Sequence, residues 1–151
     1  MNPWELHPAL VHMPIALLLS ATFLDVVAVW RRRDQAAKVA MGLLVAGELT
    51  AIVAAGAGIL AYFTIPAHTA EAHLHLLIHP TLAVSSVLLY AIVAFRRRKT
   101  PGTIPGGGLV VVSLVAASLL IAAGALGGRL VFHDGVGVAP QSRDALDAHH
   151  H

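Results

Sequence analysis

The sequence contains no cysteine, and it has few charged residues for its length. Without cysteine the chain forms no disulfide, holds no iron–sulfur cluster through thiolates and offers no thiol for catalysis. Any metal ligand must therefore be nitrogen, oxygen or methionine sulfur. Charged residues make up 12% of the 151 residues, whereas a soluble domain has roughly 25%. This composition excludes an ordinary soluble protein.

Apolar residues are what the chain has in abundance, at 57% with a mean hydropathy of +0.75. A helix that crosses the hydrocarbon layer needs about 20 mostly apolar residues. The sequence contains four such runs, at about 9–30, 40–63, 76–95 and 108–130. Because backbone polar groups must be satisfied internally in lipid, these runs predict an all-α integral membrane protein. Short connections favour an antiparallel four-helix bundle.

The chain is predicted to form a single transmembrane domain over residues 1–140. Residues 141–151 are polar and form a separate tail in this interpretation. The three histidines at the end of the tail, residues 149–151, look like the start of a purification tag, so they are left out of the functional argument.

Positive charge predicts how the bundle is oriented. Eight of the ten Lys and Arg residues lie in two short connections, at residues 31–38 and 96–102, whereas residues 64–75 contain none. The positive-inside rule then places both connections in the cytoplasm, and the two termini outside it, in a multi-pass membrane protein. The net charge of +2 comes from these membrane-flanking clusters, so no nucleic-acid partner is expected.

Histidines concentrate at the predicted outer surface. None lies on the predicted cytoplasmic side, although imidazole is the side chain that binds heme iron, copper and zinc most readily. An alternative interpretation is that these side chains are merely hydrated at the interface. The histidines concerned are His7, His12, His68, His73, His75, His79 and His133.

Depth singles out two of these histidines as candidate axial ligands of heme iron. Counting back about 20 residues from Trp30 and from Phe95, at about 1.5 Å per residue, places His12 and His79 at matching depth just inside the outer boundary. A proline follows each of them within two residues and is expected to bend the helix. His75 lies one turn before His79, as an alternative ligand or a hydrogen-bonding partner.

Small residues on the second and fourth helices predict space for a flat cofactor. Gly56 and Gly124 lie within alanine- and glycine-rich runs at this level, and Arg129 follows as a cation that could pair with a heme propionate. Other interpretations stay open. Small residues also allow close helix packing or a homo-oligomeric contact, and Arg129 could be an interfacial anchor.

Two acidic residues lie deeper in the predicted membrane. Asp25 is expected to pair with the basic cluster at residues 31–33, whereas Glu48 either stays protonated or bonds to a neighbouring helix. As titrating groups, the two acids also allow a small proton-coupled transporter as a hypothesis.

Two motifs resemble those of a bacterial family of small four-helix inner-membrane proteins of unknown function. The opening motif is Leu6-His7-Pro8-Ala9-Leu10-Val11-His12-Met13-Pro14-Ile15-Ala16, and the closing one is Gly127-Gly128-Arg129-Leu130-Val131-Phe132, then Gly135-Val136-Gly137-Val138. The family pattern has His-Pro, Val-His-Phe-Pro-Ile-Ala, a histidine opening helix three, and Gly-Gly-x-Leu-Val-Tyr-x-His-Gly-Val-Gly-Val.

The resemblance implies a location in the bacterial inner membrane. It marks His7, His12, His79 and the Gly127-Gly128 pair as family positions without naming their function. The sequence departs from the pattern at Met13, at Phe132 and at His133-Asp134. Association of some members with Rieske-type redox proteins implies membrane electron transfer and a b-type heme.

Together these observations predict a b-type cytochrome-like electron-transfer protein rather than a stand-alone enzyme. It would bind heme b through His12 and His79, with His7 nearby, and pass electrons between a membrane partner and an extracytoplasmic one. Two alternatives stay open. One is a copper or zinc site assembled from His7, His12, His75, His79 and His133, and the other is the transporter using Glu48.

Overall fold

The computed structural model describes residues 6–64 and 70–136, and every regular element in these ranges is a helix. His68 and the tail after residue 136, including the predicted tag, lie outside the described residues. The helices are α1 (Leu6–Leu10), α2 (His12–Arg31), α3 (Asp34–Thr64), α4 (Ala70–Arg97) and α5 (Gly107–Phe132).

Four spans result, because α1 and α2 form one segment interrupted only at Val11. The candidate spans are Leu6–Arg31, Asp34–Thr64, Ala72–Arg97 and Gly107–Phe132, each long and apolar enough to cross a bilayer. The prediction of an all-α membrane protein with four spans is confirmed. A span of 26 residues is about 39 Å long, which exceeds the hydrocarbon thickness of about 30 Å.

The spans pack as two helical hairpins. Hairpin one consists of α1, α2 and α3, and hairpin two consists of α4 and α5; contacts are most extensive within each hairpin. The turn in hairpin one is very short, because Arg32 adopts a left-handed φ of 51° and its amide bonds back to the Ala28 carbonyl. Residues 98–106 connect the helices of hairpin two.

Small residues predominate on the buried face of α3, and many large apolar residues of the bundle face outward. The buried positions of α3 are almost all alanine or glycine, whereas Phe23, Ile52, Val84 and Ile121 are exposed. Small residues allow membrane helices to approach closely, and an exposed apolar surface is what lipid chains contact. The packing therefore agrees with a membrane-embedded bundle.

Gly47 shows how closely the helices of hairpin one approach. A Cβ atom at this position would lie 2.6 Å from Cδ2 and 2.7 Å from Cγ of Leu18, which is fully buried. We expect Gly47→Ala to lower the free energy of unfolding by about 1–3 kcal/mol through overpacking, as measured by thermal unfolding in detergent.

Gly42→Ala is the matched control, because nothing lies within 4 Å of the added Cβ on the same helix. This substitution should be neutral, or should stabilise by up to about 1 kcal/mol through helix propensity. Equal effects of the two substitutions would contradict the close contact between Gly47 and Leu18.

Candidate functional site

Two histidines from different hairpins face each other at one end of the bundle. His7 of α1 and His79 of α4 have ring centroids 6.0 Å apart, with the ring planes at 82°. This end is called the histidine end. The opposite end, which carries Arg31–Arg33 and Arg96–Arg98, is called the basic end.

Each of these rings is held by a backbone carbonyl of its own hairpin. His7 Nδ1–H donates to the Ala54 carbonyl at 2.8 Å, and His79 Nδ1–H donates to the Ala123 carbonyl at 2.9 Å. A carbonyl oxygen only accepts, so Nδ1 carries the hydrogen in both rings. In the neutral imidazole, Nε2 then keeps its lone pair and is available as a ligand.

Glycines make room for both rings. A Cβ on Gly58 would lie 3.0 Å from Cε1 and Nδ1 of His7, and a Cβ on Gly127 would lie 3.1 Å from Cε1 of His79. Each glycine lies four residues after the alanine whose carbonyl accepts the bond, and is therefore one turn along the same helix face. Each of the two histidines thus lies against one alanine carbonyl and one glycine of its own hairpin.

The structure assigns His79 a different neighbour from the one predicted. The ring beside His79 is that of His7, whereas His12 is exposed although it belongs to the same span. The depth argument placed the membrane boundary at His12, but α1 continues the helical path for five more residues and carries His7 into the bundle.

The other predicted site residues are dispersed. Gly56 and Gly124 are exposed, and Arg129 is exposed near the end of α5. Gly58 and Gly127 are the glycines that contact the rings, and sequence analysis did not assign them that role. A sequence signal for them exists, because Ala-x-x-x-Gly occurs at the corresponding place of α3 and α5.

A second polar cluster lies at the histidine end, beyond the end of α5. Asp134, whose side chain is 3% exposed, accepts hydrogen bonds from Nδ1 of His75 at 2.7 Å and from Nδ1 of His133 at 3.0 Å. These hydrogen bonds, that of His75 first, hold the pKa of Asp134 below its ordinary value because they stabilise the carboxylate. His75 therefore bonds to the segment after α5.

The predicted five-histidine copper or zinc site is not assembled in this form. His7 and His79 form one pair, His75 and His133 share Asp134, and His12 is exposed. Within residues 6–64 and 70–136, no group of three or more His, Asp or Glu side chains is placed to hold a metal ion.

Asp25 has a partner that the sequence did not predict. Its two carboxylate oxygens both lie 2.7 Å from Nη1 of Arg97, and both side chains are 3% exposed. The expected pairing with Arg31–Arg33 is therefore replaced by a contact between spans one and three. Glu48 has one buried carboxyl oxygen, Oε1, which has no hydrogen-bond partner among the described residues.

These features define a class of protein: a four-span membrane bundle with a pair of facing histidines at one end. The chain belongs to the family described as "Predicted membrane protein (DUF2231)", whose sequence profile matches residues 3–140. The resemblance to a family of small membrane proteins of unknown function is thereby confirmed. No curated protein and no solved structure matches the chain.

Proposed function

We propose that this protein is a membrane-bound, b-type cytochrome-like electron-transfer protein that holds heme between His7 and His79. The observation that carries the proposal is the pair of facing imidazoles. Metal–imidazole bonds are about 2.0–2.1 Å long, so two imidazoles that bind one metal from opposite sides have centroids about 6 Å apart. The separation of 6.0 Å fits that arrangement.

The hydrogen bonds of both rings support the same assignment. Metal-binding histidines usually donate their second N–H to a carbonyl or carboxylate, which fixes the tautomer and makes the ligand more basic. His7 and His79 both make such a bond, to Ala54 and Ala123. The protein thereby orients two imidazole rings before any ligand binds, so less ordering is needed on binding.

The number of donors favours heme over a copper or zinc site. Among the described residues, no third His, Asp or Glu side chain joins His7 and His79 in a metal-binding group, whereas a heme iron needs only two protein ligands. When bound, heme supplies a one-electron couple, and two imidazole ligands leave no open coordination position on the iron. Electron transfer therefore fits the donor set better than oxygen chemistry does.

The position of His7 and His79 in the bundle indicates the direction of electron transfer. Only one facing pair of histidine rings occurs in the part of the chain that the structure describes, and it lies at the histidine end. The positive-inside rule favours the basic end for the cytoplasm. Electrons would therefore pass between a donor in the membrane and an acceptor outside it, without crossing the full bilayer through this chain.

The proposal is tested by the visible spectrum of detergent-purified protein, recorded first in the oxidised state and then after reduction with dithionite. Elemental analysis of the same sample measures its iron, copper and zinc. We expect a sharp reduced α band and about one iron per chain, as two imidazoles on one low-spin heme require. His7→Ala and His79→Ala should each abolish this low-spin signature.

His12→Ala is the matched control, because His12 lies on the same span but is exposed. That variant should keep the full spectrum. A colourless protein after expression with ample heme would falsify the proposal, as would a full complement of low-spin heme in the His7→Ala/His79→Ala variant. Copper or zinc in place of iron would favour the metal-site alternative.

A further inference from the structure

The two hairpins are built on the same pattern of buried positions. Residues of span three correspond to those of span one at a spacing of 72, and residues of α5 correspond to those of α3 at a spacing of 69. Pairs of equivalent positions that are buried in both hairpins are Pro14/Ser86, Leu18/Tyr90, Ala21/Val93, Asp25/Arg97, Leu44/Ser113, Gly47/Ala116, Ala51/Leu120, Ala54/Ala123 and Ala61/Leu130. The two hairpins therefore share one pattern of burial.

Equivalent residues of spans one and three also meet each other. His7 faces His79, the Tyr90 hydroxyl lies 3.4 Å from the Leu18 carbonyl, and Asp25 bonds to Arg97. Contacts between equivalent positions occur at a twofold axis, which here runs along the bundle. Parallel repeats related by an axis along the membrane normal are also found in some transporters.

The histidine pair and the ion pair lie on the same face of their helices. Asp25 follows His7 by 18 residues, and Arg97 follows His79 by the same 18 residues. Since an α-helix has 3.6 residues per turn, this spacing is about five full turns, or about 27 Å. The two pairs therefore lie at opposite ends of one contact between the hairpins.

The ion pair of Asp25 and Arg97 favours one register, that is, one relative position of the two hairpins along the bundle. Besides Asp25, Arg97 binds the Ala37 carbonyl of α3 through Nη2 at 3.1 Å, so it joins hairpin two to both helices of hairpin one. The same contact also holds Leu18 and Tyr90, whose hydroxyl lies 2.7 Å from that of Thr22, but these groups are uncharged and cost less to leave unpaired than an ion pair does. A slip of one turn would leave a buried carboxylate and a buried guanidinium unpaired, which is strongly unfavourable.

We propose that Asp25 and Arg97 are positioning residues that fix the two hairpins in the register that brings His7 and His79 together. The positioning role depends on the proposed function only in those experiments that measure bound heme. The juxtaposition of positions 7 and 79 is measurable without any cofactor.

Cross-linking measures that juxtaposition directly. The chain contains no cysteine, so His7→Cys and His79→Cys introduce the only two thiols. In membranes, a short bismaleimide should bridge the two thiols. The mass of the intact protein then distinguishes one bismaleimide bound to both cysteines from two bismaleimides bound to one cysteine each. We expect efficient bridging in this background and a several-fold loss when Asp25→Asn or Arg97→Gln is added.

Charge exchange provides the decisive comparison. Because positions 25 and 97 are equivalent in the shared pattern of burial, Asp25→Arg combined with Arg97→Asp should restore bridging. Asp25→Leu with Arg97→Met keeps burial without charge and should bridge several-fold less than the parent. Arg98→Gln, at an exposed neighbour of Arg97, should bridge like the parent.

The outcomes separate this proposal from the proposed function. Full bridging in the single variants or in the Leu/Met variant, or no restoration on charge exchange, would overturn the positioning role. In the chain with both histidines intact, Asp25→Asn or Arg97→Gln should remove the low-spin spectrum. Asp25→Arg combined with Arg97→Asp should restore it. A colourless parent whose cross-linking follows the expected pattern would reject heme binding alone.

Discussion

Replacing Arg97 with methionine is expected to lower the free energy of unfolding by about 3 kcal/mol, the cost of leaving a buried carboxylate without its partner. Asp25 and Arg97 are both 3% exposed, and the guanidinium is shared with the Ala37 carbonyl. Thermal unfolding in detergent measures the loss.

Removing both charges should have a much smaller effect. Replacing a buried ion pair by apolar residues of similar size is often neutral or stabilising by about 1–4 kcal/mol, because the cost of desolvating the charges disappears. Asp25→Leu with Arg97→Met should therefore be at least as stable as the parent. Arg98→Met removes an exposed cation that stacks on Phe95 and should change stability little. If Arg97→Met alone proved as stable as the parent, the ion pair would not contribute to the bundle.

The four spans could be predicted from sequence because crossing a bilayer requires only length and hydropathy. Their ends could not be predicted as well. The second span was expected from residue 40 but α3 begins at Asp34, and the third was expected from residue 76 but α4 begins at Ala70. Helices continue beyond the hydrocarbon layer, where polar residues are tolerated and hydropathy no longer marks the end.

The histidine end was also predictable in outline, since the charges and the histidines segregate to opposite ends. The pairing within it was not. Depth along one helix does not give the direction of a side chain, so His12 and His7 could not be distinguished by counting from Trp30. The repeated His-Pro dipeptide, at His7 and again at His79, is the signal that identifies equivalent positions.

The partner of Asp25 depends on packing between spans distant in sequence. Arg31–Arg33 are the nearest cations along the chain, but they follow α2 into the turn. Arg97 is 72 residues away and meets Asp25 only because spans one and three are neighbours with parallel directions. Hydropathy gives the number of spans, whereas it does not give their order around the bundle.

Valine at Gly58 or Gly127 is expected to lower the affinity for heme by about 10- to 100-fold, the usual effect of disturbing residues that orient a metal ligand. A Cβ alone would lie 3.0–3.1 Å from a ring atom, so the larger side chain must push the imidazole away. The ring would then lose its bond of 2.8 or 2.9 Å to the alanine carbonyl. Heme titration, followed at the Soret band, measures the affinity.

Gly56→Val and Gly128→Val are the matched controls for this prediction. Gly56 lies two residues before Gly58 on α3, and Gly128 directly follows Gly127 on α5. At both control positions nothing lies within 4 Å of the added Cβ. All four substitutions change helix propensity equally, so that contribution cancels in the comparison. If the controls weakened binding as much as Gly58→Val and Gly127→Val, the loss would reflect helix stability rather than the rings. Selective loss at Gly58 and Gly127, even with His7 and His79 unchanged, would show that the carbonyl-held rings form the binding site.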